Sequence, residues 1–114
     1  MRKRRPPHPL EHHPSFRAAI AAAPPLAELA SKIAAGDLVG TLAVACSDLA
    51  DGFAAPPDSR RRVQAHHRAW VAVREIDRAV NAPGRRRLAP KELFRKAQRA
   101  IDRADVLIGA LLPS

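Results

Sequence analysis

Apolar residues recur at three- and four-residue spacings along most of this chain, and no stretch alternates apolar with polar as a half-buried strand would. The repeats fall into successive helical blocks. In the first, Ser15 stands as an N-cap before Phe16 and Ile20, which share a face at i, i+4. Pro24-Pro25 then interrupts the pattern, because neither ring carries an N–H and Pro24 drives Ala23 away from helical geometry. Pro25 suits the first position of a renewed turn running to Gly36, with Leu26, Leu29, Ala30 and Ile33 facing inward. The expectation is one Pro-broken first helix over 15–35.

Asp37 caps a second helix over 37–54, whose stripe is Leu38, Leu42, Ala45, Leu49 and Phe53. Asp58 or Ser59 caps a third over 59–81, with Val63, His66, Trp70, Val73 and Val80 at helical spacing and Ala69 and Ile76 beside them. Asn81 to Arg87 is a turn. Pro90 opens a fourth helix to about residue 112, lined by Leu93, Ala97, Ala100, Ala104, Ile108 and Leu111 and widened by Phe94, Ile101 and Leu107. Short links between amphipathic helices make neighbours antiparallel. The predicted fold is all-α: an antiparallel up-down four-helix bundle over 15–114. Residues 1–14, with four basic residues, four prolines and three histidines, form a disordered basic N-terminal arm.

Composition agrees with this pattern. The chain has the length of one domain, 114 residues, and is rich in alanine and poor in aromatics, with three Phe, one Trp and no Tyr. The many small residues leave a thin core, so burial between copies in a homo-oligomer is expected. A single cysteine excludes an intrachain disulfide. No apolar run approaches the roughly 20 residues of a membrane span. The basic start resembles a secretory leader in charge alone, and Ala18–Ala23 is too short for its apolar region, so a cytoplasmic location is expected.

Charge changes the picture most. The net charge is +9, from 20 Lys and Arg against 11 Asp and Glu. It is concentrated in the arm (Arg2, Lys3, Arg4, Arg5) and in residues 58–114. Arg60-Arg61-Arg62 opens the third helix, where cations oppose the helix dipole and make sense if an anion sits beside the free N–H groups. Arg85-Arg86-Arg87 precedes the fourth helix, along which Lys91, Arg95, Arg99 and Arg103 recur every four residues. The bland alternative is a solvated surface with local pairs such as Glu92–Lys96. Taken together, these cations point to phosphate binding that is backbone-driven, salt-sensitive and weakly sequence-selective, to RNA or DNA alike. The scarcity of aromatics argues against base-stacking platforms.

Other chemistry is thinner. His66-His67 with His8, His12, His13 and Cys46 invites a metal reading, but adjacent histidines on a helix diverge by about 100°. One of the pair is expected to line the bundle near Trp70. Cys46 flanks an apolar stripe, where a thiol is an inert small hydrophobe. No nucleotide-binding glycine loop or catalytic serine elbow occurs. No metal, cofactor or catalytic residue is expected, and the protein is read as a binder rather than an enzyme. Asp48 and Asp51, with Glu75 and Asp77, are read as structural pairing residues. Asp77 falls near the apolar seam and needs a partner, for which an arginine of a neighbouring helix or subunit is the obvious choice.

Ser47-Asp48-Leu49-Ala50-Asp51-Gly52-Phe53 resembles the Asn-Ile-Ala-Glu-Gly-Phe signature of the four-helix-bundle proteins encoded in 23S ribosomal RNA intervening sequences. Trp70-Val-Ala-Val-Arg-Glu75-Ile76-Asp77 is similar to that family's Ser-Leu-Ala-Glu-Leu-Glu segment, and Leu88-Ala-Pro-Lys-Glu92 to its entry into the last helix. Ala104 to Leu112 resembles the closing helix of a sister group, the accessory variability determinants of diversity-generating retroelements. The resemblance spans 37–112, with Asp48 and Asp51 replacing the signature's Asn and Glu. It implies a homo-oligomer, typically a pentamer, whose basic surface binds nucleic acid, and in the retroelement branch a reverse transcriptase as partner. It leaves the two branches unseparated. The competing function is a protein-interaction scaffold that docks an acidic partner without binding nucleic acid.

Overall fold

The caps written into the sequence set where the helices begin. In the computed structural model, which describes residues 9–113, the Asp37 carboxylate accepts a 2.8 Å hydrogen bond from the Gly40 N–H and starts α2, Leu38–Ala54. The Ser59 hydroxyl accepts from the Arg62 N–H at 3.2 Å and starts α3, Arg60–Val80. Pro90 stands at the cap of α4, Lys91–Gly109. The first helix, α1, covers Pro14–Ile33, behind a short 3-10 turn at Pro9–His12. A second 3-10 turn, Arg85–Leu88, lies in the α3–α4 connection after Gly84, whose φ of 83° only glycine adopts cheaply. The described residues contain no strand.

The fold is the expected four-helix bundle. The most extensive contacts join α2 to α3 and α1 to α4, and smaller ones join α1 to α2 and α3 to α4. The helices therefore follow one another around the bundle, consecutive ones joined by the intervening turns and α4 closing the ring against α1. The core is one cluster in which Leu26, Leu29, Leu49, Val73, Ile76, Val80 and Ile108 are the largest fully buried side chains, packed among alanines. The small alanines at Ala19, Ala22, Ala45, Ala69, Ala97 and Ala104 let the helices approach closely.

The first helix departs from expectation. It is not broken at Pro24-Pro25 but runs through both. Each proline forfeits a backbone bond, to the carbonyls of Ile20 and Ala21, at a cost of about 3 kcal/mol per residue in a helix interior. Both of those residues are exposed, so water can hydrate the freed carbonyls. Burial of Leu26, Leu29 and Ile33 on the same face, at about 1.5–3 kcal/mol each, offsets the loss. Ser15 is not the cap. Pro14 takes the first helical position, His13 before it is extended, and Ser15 is buried with an unpartnered hydroxyl among the described residues. Ile20 is 51% exposed, and Ala18, Ala19 and Ala22 face the core in its place. α4 ends at Gly109, short of residue 112, with Leu111 and Leu112 half-buried beyond it. No helix among the described residues is long and apolar enough to cross a membrane. Arg2, Lys3, Arg4 and Arg5 lie outside the described residues.

Candidate nucleic-acid interface

The two arginine triplets do not act as uniform cationic patches. Within the first, Arg62 folds back on the end of α2, donating from Nε to the Gly52 carbonyl at 2.9 Å and from Nη2 to the Phe53 carbonyl at 3.0 Å. Its guanidinium also lies over the Phe53 ring, 5.9 Å from the centroid. Carbonyls in the last turn of a helix have no intrahelical partner and carry the negative end of its dipole, so a guanidinium there is doubly favoured. Arg62 is thus committed to the fold, while Arg60 and Arg61 stay exposed. In the second triplet, Arg85 repeats the device, donating from Nη1 to the Ala79 carbonyl near the end of α3. Arg86 and Arg87 are exposed, Arg86 touching the Asn81 side chain at 3.3 Å.

The remaining cations gather on α4. Lys91, Arg95, Arg99 and Arg103 are all exposed, and Arg95 meets Glu92 at 3.3 Å as a solvent-facing pair. An open cleft of about 630 Å³ collects Arg86 from the preceding loop with Lys91, Arg95 and Arg99, against the Phe94 ring, with Gln98 and Asp102 also lining it. Arg103 does not line this cleft, because a four-residue step rotates about 40° around the helix and the row turns away.

Beside the cleft lies a polar network. The Gln98 amide donates to Asp77 at 2.6 Å and to Asp102 at 2.8 Å, and Asn81 donates to Asp77 at 3.1 Å and to Gln98 at 2.9 Å. The expected arginine partner of Asp77 is therefore replaced by two neutral amides, supplied by the end of α3 and the facing turn of α4. Asp48 does meet a guanidinium, Arg68 at 3.3 Å, across the α2–α3 interface of one chain. Asp51 and Glu75 are exposed and form no ion pair among the described residues.

At the opposite end of the bundle, His66 is the buried histidine of the adjacent pair, 3% exposed, and His67 faces solvent 6.2 Å from the Trp70 ring. His13 stacks on Phe53 at 3.6 Å, and His66 meets the same ring edge-on at 4.8 Å. His66 Nε2 has no hydrogen-bond partner among the described residues. Burial, then the Arg62 charge, then His13 hold its imidazole below the usual histidine range. Burial likewise pushes the Cys46 thiol up, away from thiolate chemistry. No three His, Cys, Asp or Glu side chains among the described residues gather closely enough to hold a metal ion.

Sequence reasoning missed Phe94, Gln98 and Asp102 as residues lining this cleft. Gln98, four residues before Asp102 and one before Arg99, was the available signal, but its partner Asp77 depends on the α3–α4 register. The arrangement defines a class: a helical bundle with an exposed cationic face along one helix. Comparison with models of known families, with curated proteins and with solved structures returns no match for this chain.

Proposed function

We propose that this protein binds nucleic acid through its phosphate backbone, as a non-enzymatic oligomeric adaptor, using the face built by Arg86, Lys91, Arg95 and Arg99. The observation that carries the reading is the convergence of these four cations on one open cleft. Asp77 beside them is held by amides rather than by a guanidinium, so the cations stay available to an external anion. Arg60, Arg61, Arg87 and Arg103 extend the positive surface, and Arg62 and Arg85 serve the fold. The resemblance described above adds self-association, and in the retroelement branch a reverse transcriptase partner, to the same proposal.

The test is fluorescence anisotropy of labelled RNA and DNA with the full chain over a salt series. Binding at micromolar or better affinity is expected, with log K falling steeply against log salt. The R86A/K91A variant flattens that slope by about one unit per lost phosphate contact. The R62A variant lowers the unfolding midpoint and keeps the slope. An unchanged slope in R86A/K91A overturns the site. Absence of binding to any nucleic acid overturns the reading.

A further inference from the structure

α4 has a second cleft on its other side. It is about 710 Å³, lies toward α1, and is lined by Lys32, Lys96, Glu28 and Glu92 with Arg95 and Arg99. Arg95 and Arg99 therefore line both clefts. A side chain that borders the hollows on both sides of a helix stands on its crest. That placement follows from the sequence, since these two residues lie opposite the buried row Leu93, Ala97, Ile101, Ala104 and Ile108. The first half of α4 is thus a ridge with two arginines along its top, Arg86 and Lys91 on one flank, and Lys32 and Lys96 on the other.

Resting on the reading above, we infer that this ridge enters the major groove of double-stranded DNA, with Arg95 and Arg99 contacting guanine. Cations on both flanks match a groove whose two walls are each lined with phosphates, whereas a single strand needs only one flank. The B-form major groove, about 12 Å wide, admits an α-helix, and the A-form groove of duplex RNA is too deep and narrow to be read by side chains. Arg95 and Arg99 are about 6 Å apart along the helix axis. Two base-pair steps of about 3.4 Å cover nearly the same distance. Each guanidinium fork can take the O6 and N7 acceptors of one guanine, so guanines on alternate base pairs suit the pair.

The carboxylates nearby do not block this use. Glu92 holds Arg95 only in an exposed pair, with side chains 86% and 69% accessible, and such pairs yield readily to phosphate or base acceptors. Glu28 and Glu92 balance Lys32 and Lys96, so the α1 flank offers two mobile lysines without net charge and the Arg86/Lys91 flank is the principal wall. Asp102, which also lines the first cleft, is engaged by the Gln98 amide at 2.8 Å.

The experiment compares an alternating GT·AC DNA duplex with the same duplex carrying 7-deazaguanine, with duplex RNA of the same sequence, and with single-stranded DNA. Loss of N7 changes the major-groove edge and nothing in the backbone. The native DNA duplex is expected to bind about ten-fold or more tightly than duplex RNA. The 7-deaza duplex is expected to bind the native protein about five-fold or more weakly, and to bind R95A/R99A no differently from the normal duplex. K32A/K96A is expected to weaken both DNA duplexes alike. Circular dichroism checks that these exposed-site variants fold. Equal or tighter binding to duplex RNA or to single strands, or indifference to 7-deazaguanine, overturns the groove inference and leaves backbone binding standing. No binding to any of the four overturns the underlying reading itself.

Discussion

Replacing Gly52 with alanine tests the packing where the end of α2 meets α3. A Cβ on Gly52 would stand 2.4 Å from both Cδ2 and Nε2 of His66, where real Cβ contacts stay beyond 3.0 Å. His66 has little room to retreat, being 3% exposed and set edge-on against Phe53. Overpacking of this kind costs about 1–3 kcal/mol, and a disturbed aromatic pair adds about 0.5–1.5 kcal/mol. Against this, alanine in a helix gains about 0.8–1 kcal/mol over glycine. The expected result for G52A is a net destabilisation of about 1–3 kcal/mol. In an H66A background the obstruction is gone and only the helix gain remains, so the same substitution should stabilise by up to about 1 kcal/mol. Urea unfolding followed by circular dichroism at equal m-values measures all four proteins. The same sign of effect in both backgrounds would refute the steric account.

Two further outcomes follow from the described geometry. His66 is held below its unfolded pKa, so the unfolded chain takes up the proton first and stability present above about pH 6.5 is lost as pH falls toward the folded value. Thermal melts from pH 7.5 to 5 should show the midpoint falling, and less steeply in H66Q; identical profiles would remove His66 as the cause. Pro24 is exposed inside an unbroken helix, so P24A should restore the bond to the Ile20 carbonyl and stabilise by about 1–3 kcal/mol in urea unfolding. No gain there would mean that the helix is not continuous in solution.

The bundle was legible because its signals are local. Asp37 and Ser59 cap the helices as their positions imply, and Leu42, Leu49, Val73, Ile76 and Ile108 are buried as their spacing implies. Pro24-Pro25 misled because the burial that carries α1 across them comes from other helices, which a local rule does not see. The arginine triplets read as equivalent positive charges, yet Arg62 and Arg85 differ from their neighbours by reaching back across a turn to open carbonyls. That return path depends on loop geometry. The partner of Asp77 depends on register between helices, and Gly52 could be understood only once His66 was seen against it.

The unequal interfaces imply an order of assembly. α2 and α3 are linked by the five residues 55–59 and share one of the two largest interfaces, so their hairpin closes a short loop at small entropic cost. α1 and α4 form the other large interface from opposite ends of the chain, and must close the whole intervening length. The central hairpin is therefore the natural nucleus, and the terminal helices dock upon it last. During synthesis, α1 must wait for α4 to emerge before the face it turns to α4 is covered. The arginine ridge becomes a fixed surface only once α4 has docked against α1.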